Sequence, residues 1–201
     1  MQPRKLGSEG LMSEGATIVG IRASAGELES FSELLARVAP DIDMTYVFVQ
    51  HLDPKHANFS VEILSKRARF PVEQAREGVK IFPNHQYVIA PNTTLTIGGG
   101  VLHLRSRDPA EKPHRPVDSF FHSLAQERGP NAIAIILSGS GSGGAKGIQA
   151  VKQAGGITFA QDESSALFFG MPNSAIRTGC VDFILSPGDI ALELINISRH
   201  L

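Results

Sequence analysis

Ser24 and His51 are the residues whose types and surroundings best suit chemistry in this chain. Ser24 lies in Arg22-Ala23-Ser24-Ala25-Gly26, between an apolar run and a helical pattern. A nucleophilic serine needs an exposed hydroxyl, small neighbours and amides at a helix N-terminus that can hold an oxyanion. The amides of Ala25 and Gly26 are the candidates for that hole. The same setting also suits a turn or N-cap serine with no chemistry. The segment misses the G-x-S-x-G nucleophile elbow at one position, where Arg22 stands. His51 follows an apolar run that ends at Gln50, and an imidazole titrating near neutrality suits a general base. A surface or capping histidine would look the same. His51, Asp53 and His56 also cluster, but neither a cysteine nor an H-E-x-x-H spacing accompanies them, so no metal is expected.

A third segment competes for the function. Gly139-Ser140-Gly141-Ser142-Gly143-Gly144 satisfies G-x-G-x-x-G, follows an apolar run and opens a helical pattern. Asp162 ends the next apolar run about twenty residues on, where a ribose-binding acid would stand in a dinucleotide site. A nucleotide-binding domain using Gly139–Gly144 is therefore an alternative to ester hydrolysis, although it leaves Ser24 and His51 without a role.

The elements that must position these segments follow from periodicity. Apolar β-branched runs at Ala16–Ile21, Met44–Val49, Ala132–Leu137, Ile157–Ala160 and Val181–Leu185 predict buried strands. Helical spacing predicts helices over Leu28–Val38, Asn58–Ala68, about Ala145–Ala154 and Asp189–Ile197. A further helix has Pro172 in its first turn and ends at Gly179. Asp118 reads as the N-cap of another helix, with Phe120, Phe121, Leu124 and Ala125 on one face. Short alternating runs at Tyr87–Pro91, Thr93–Ile97 and Val101–Arg105 read as antiparallel hairpin strands at one edge of the sheet. Arg107–Arg115 reads as a surface loop. The alternation predicts a doubly wound, Rossmann-like α/β domain, with a mostly parallel sheet, helices on both faces and an antiparallel β-hairpin. In such a sheet, ligands bind beyond the carboxyl ends of the strands, where all three segments fall.

Composition narrows the function classes. Nineteen basic side chains nearly balance twenty acidic ones, which argues against nucleic acid or an anionic membrane as an obligate partner. No apolar run reaches the ~18 residues of a membrane span, so membrane insertion is not expected. Met1–Gly15 mixes charge, Gly and Ser without an apolar core and reads as a flexible leader to a domain over residues 16–201. The single cysteine, Cys180, excludes an internal disulfide framework and fits a reducing, cytoplasmic setting. Oligomeric state leaves no mark in the sequence.

Taken in order, IVGIRASAG (18–26), FVQHLDPKH (48–56), PNHQYVIAPN (83–92), RPVDSFFHSLA (115–125), ILSGSGSGGAKG (136–147) and AGGITFAQDESSALFFGMPNSAI (154–176) resemble the catalytic domain of the chemotaxis-receptor methylesterases, the CheB type. The resemblance runs from about Thr17 to Leu194 and implies a protein-glutamate methylesterase. Such an enzyme hydrolyses receptor glutamyl methyl esters and deamidates some receptor glutamines. It implies Ser24 as nucleophile, His51 as base, the cytoplasmic helices of methyl-accepting chemotaxis receptors as substrate, and no cofactor. It also implies a site lined by Ala25, Gly26, Ser140, Gly141 and Ser142, with Ser140 where the family often has a methionine.

Three positions depart from that pattern. The third triad member, an aspartate in the family, falls at Gly143, and Arg22 and Glu27 replace glycines beside the nucleophile. Loss of a triad acid elsewhere costs roughly ten-thousand-fold in turnover. Ser142, Ser140 or a water could accept from His51 instead, or Asp162 or Glu27 could supply a carboxylate. The departures leave three readings open: a working esterase, an impaired one, and a catalytically silent receptor-binding module.

Overall fold

The computed structural model describes residues 16–23, 28–50, 57–107 and 115–200. The leader expected over Met1–Gly15 and most of the loop expected over Arg107–Arg115 lie outside the described residues.

A seven-stranded sheet in the order β10-β9-β8-β1-β2-β5-β3 organises the chain. Its strands are β1 (Ile18–Arg22), β2 (Thr45–Val49), β3 (Val72–Gln74), β5 (Gln86–Val88), β8 (Ala132–Ile136), β9 (Ile157–Gln161) and β10 (Phe183–Leu185). Every pairing in this sheet is parallel. The central strands read as unbroken apolar runs because both faces are covered. Val19, Ile21, Phe48, Ile133 and Ile135 pack on one side with α1 (Leu28–Arg37), α2 (Ala57–Ser65) and α6 (Pro187–Ser198). Ile18, Val47, Val49, Ala134 and Ile136 pack on the other with α3 (Pro116–Arg128), α4 (Ala145–Gln153) and α5 (Gly170–Ile176). The doubly wound α/β architecture is thus as the periodicity implies.

Helix α3 crosses directly over β1. A Cβ on Gly20 would sit 2.8 Å from Phe121, and one on Gly147 in α4 would sit 2.5 Å from the same side chain. Both positions need glycine so that strand and helices can approach Phe121. Phe120 and Phe121 are themselves fully buried, so they belong to this core and not to an open pocket.

Three expectations need correction. Tyr87 belongs to no hairpin: Gln86–Val88 is a buried strand inside the parallel sheet, hydrogen-bonded to β2 and β3. The antiparallel unit is a separate three-stranded sheet in the order β4-β7-β6, with β4 (Val79–Lys80), β6 (Thr93–Gly98) and β7 (Val101–Ser106). It packs on α3 through Leu95, Ile97 and Leu102 and is not attached to the edge of the main sheet. A run of three buried residues carries no periodicity that could separate the two arrangements.

Asp118, expected as an N-cap, lies inside the first turn of α3, which begins at Pro116 after Arg115. Proline suits that start because its missing N–H would have no helical partner there. Asp118 instead serves the neighbouring helix: its Oδ1 accepts from the Gly147 amide in the first turn of α4 at 2.9 Å.

Candidate active site

The strand order sets side by side the three strands that lead into the chemical segments. β8, β1 and β2 are adjacent and parallel, with Arg22 level with Ile136 on one side and Val49 on the other. Their carboxyl ends therefore open at one edge of the sheet, where Ala23, Gln50 and Leu137 continue the three strands, all buried. Ser24, Ala25, Gly26, Glu27, His51, Asp53 and His56 lie outside the described residues.

The glycine segment is described throughout. Ser140, Gly141, Ser142 and Gly143 are exposed, while Ser138 and Gly139 are buried at its root. The root is held by polar contacts that the sequence reading missed. The Ser138 amide donates to Gln161 Oε1 at 2.7 Å, and Gln161 Nε2 donates to Ser30 and Ser165, each at 3.2 Å. Gly139 exchanges hydrogen bonds with the Gly170-Met171-Pro172 turn and its approach. Its amide donates to the Phe168 carbonyl at 2.8 Å and its carbonyl accepts from the Met171 amide at 2.7 Å. A Cβ on Gly170, the first residue of α5, would come 3.2 Å from the Gly141 amide nitrogen, so glycine there lets the helix start lie on the loop without pushing it back. Gln161, a polar residue closing an apolar strand, was the one sequence signal for this support.

At the far end of the loop, Gly144 has φ +96°, and a Cβ there would stand 2.6 Å from Ile136. Gly143 differs. A Cβ on it would meet Arg22, 3.6 Å from Nη2 and 3.9 Å from Cζ. Arg22 Nε donates to the sulfur of buried Met171 at 3.2 Å. Arg22, Arg115, Pro116, Val117, Asp118, Gly143 and Gly144 line a cavity of about 170 Å³. A cation thus borders the place where the resemblance puts an acid.

The structure gives no support to a dinucleotide site. The first turn of α4, which would face a pyrophosphate, already binds a carboxylate of the chain itself, that of Asp118. Asp162 is also engaged: its Oδ1 accepts from the Ser164 hydroxyl and the Ser165 amide, each at 2.8 Å. Partial burial pulls its carboxyl upward, and these hydrogen bonds outweigh it and hold the group below the usual aspartate range. Asp162 closes β9, three strands from β2, or about 14 Å across the sheet at ~4.8 Å per strand. That separation sets it well apart from β2, the strand that leads into His51.

Among the described residues, no group of three His, Cys, Asp or Glu could hold a metal ion, and no helix is long and apolar enough to cross a membrane. Cys180 is half-buried and packs against the core, with Sγ donating to the Thr178 carbonyl at 3.6 Å. Leu167 and Phe168 are exposed beside the glycine segment.

A mostly parallel, doubly wound sheet whose three central strands end side by side defines a Rossmann-like α/β domain. The chain matches the CheB methylesterase family over residues 19–194 and belongs to that family. It is 35% identical over 187 residues to protein-glutamate methylesterase/protein-glutamine glutaminase 1 of Burkholderia pseudomallei (strain 1710b), covering 90% of this chain and 50% of that protein. It is 39% identical over 172 residues to protein-glutamate methylesterase/protein-glutamine glutaminase 2 of Shewanella oneidensis, covering 84% and 49%. The chain therefore spans about half the length of these curated relatives. The crystal structure of the Thermotoga maritima CheB methylesterase catalytic domain superposes with a TM-score of 0.81 at 28% identity, covering 90% of this chain and 98% of that one.

Proposed function

We propose that this chain is a protein-glutamate methylesterase domain that hydrolyses glutamyl methyl esters on the cytoplasmic helices of methyl-accepting chemotaxis receptors, and deamidates glutamines there. The observation that carries the reading is the adjacency of β8, β1 and β2, whose ends feed the glycine loop, Ser24 and His51. The names of the relatives supply the class of substrate, and the serine mechanism supplies the chemistry.

In that mechanism Ser24 Oγ bonds to the ester carbonyl carbon while its proton passes to His51. The amides of Ala25 and Gly26 hold the oxyanion. On collapse the carbon–methoxy bond breaks, His51 returns the proton, and methanol leaves an acyl-enzyme. Water, deprotonated by His51, then releases the glutamate and regenerates Ser24. No metal or organic cofactor takes part, and the reaction belongs to the cytoplasmic face of the receptor.

With Gly143 at the third triad position, nothing at that residue can orient His51 or stabilise its imidazolium. A second reading, a silent receptor-binding module on the same fold, is favoured by the Arg22 guanidinium beside Gly143. Methanol release from a methylated receptor fragment separates the two. Release by the native chain that Ser24→Ala abolishes supports the esterase. Receptor binding without release, unchanged in Ser24→Ala, supports the module.

A further inference from the structure

Glycine at 143 is required neither by backbone nor by space. Its φ lies outside the left-handed region, unlike that of Gly144, and a Cβ would make only van der Waals contact with Arg22. A Cβ at 143 therefore fits, and the first group it meets is a guanidinium. Arg22 is no loose surface cation. Its backbone is paired into both β2 and β8, its side chain is half-buried, and Nε is tied to Met171. With Nη2 only 3.6 Å from that Cβ, a carboxylate one bond further on can reach the guanidinium, the group arginine offers carboxylates.

We infer that Arg22 and residue 143 form one electrostatic unit, in which a carboxylate placed at 143 becomes an ion-pair partner of Arg22 and is drawn away from the role of a triad acid. The departures at 22 and 143 are then a single change. An acid at 143 completes a catalytic triad only when Arg22 is also gone. The catalytic half of this inference rests on the proposed esterase reading; the electrostatic half does not.

The test compares Gly143→Asp alone with Gly143→Asp combined with Arg22→Gly or with Arg22→Met. The methionine variant keeps the apolar stem and its packing if glycine loosens β1. The introduced carboxyl is followed by its ¹³C chemical shift against pH. In the single variant it titrates about 1–3 units below an ordinary aspartate, as beside an arginine. In both double variants it returns to, or rises above, the ordinary range. Arg115 and Asp118 face the same cavity and remain in every variant, so their opposing influences cancel from the comparison. An ordinary titration in the single variant, or a depression that survives loss of Arg22, overturns the inference.

Methanol release is read on the same proteins. At least tenfold faster release by a double variant than by Gly143→Asp alone is expected, and equal, measurable rates overturn the inference. If all variants bind a methylated receptor fragment without releasing methanol, the esterase reading fails, and the titration alone decides the electrostatic unit.

Discussion

Removing the Asp118 carboxylate tests how the glycine loop is anchored. Asp118 is buried, and its Oδ1 accepts from the Gly147 amide at 2.9 Å in a buried contact between α3 and α4. Asp118→Ala deletes a charged acceptor and strands a buried N–H, a loss of about 2 kcal/mol within the range for hydrogen bonds to charged groups. In a chain of this size each kcal/mol moves Tm by about 2–4 °C, so the expected fall is about 4–8 °C. Asp118→Asn keeps an acceptor and gives up only the attraction of a full charge to the helix N-terminus, about 0.5–1 kcal/mol. Thermal unfolding followed by circular dichroism should therefore order the proteins native, Asn, Ala. Hydrogen exchange at the Gly147 amide should accelerate most in the alanine variant. Equal destabilisation by Asn and Ala would refute the reasoning, because it would mean that the accepted hydrogen bond contributes nothing.

Two further outcomes follow from the same region and from the far edge of the sheet. Gly144→Ala forces a Cβ into a left-handed backbone, at about 1–2 kcal/mol, and into Ile136, which overpacking raises further. Its neighbour Gly143→Ala should stay within about 0.5 kcal/mol of the native chain in urea unfolding, and a comparable loss at both positions would defeat the distinction drawn between them. Asp182 Oδ2 accepts from the Thr158 amide and hydroxyl, each at 3.0 Å, and its other oxygen pairs with Lys152. Partial burial raises its carboxyl, but Lys152 and Thr158 outweigh this and leave it below the ordinary value. A depressed carboxyl adds stability above its unfolded-state value of about 3.9 and loses it as pH falls through the folded value. Tm of the native chain should thus fall more steeply below about pH 4 than that of Asp182→Asn, and parallel acid slopes would contradict the assignment.

Much of the fold was legible in the sequence because buried parallel strands and amphipathic helices carry strong local signals. Ala132–Ile136 and Thr45–Val49 could hardly be anything but central strands, since every residue in each is buried. The glycine segment was legible too, as a turn between a strand and a helix. Short edge elements were not: Val72–Gln74 and Val79–Lys80 are too brief to show a period, and their pairing is set by partners far along the chain. Gln86–Val88 was misread for the same reason.

The sequence by itself determined the class of domain, the three candidate loops and the departure at Gly143, because residue types and local periodicity are properties of neighbours in the chain. Only the tertiary structure decided which strands end side by side, that Asp118 caps α4, and that Arg22 stands against Gly143. Those are contacts between residues remote in sequence. They arise from the order in which parallel strands assemble and from the packing of helices over them, and no local pattern encodes that order.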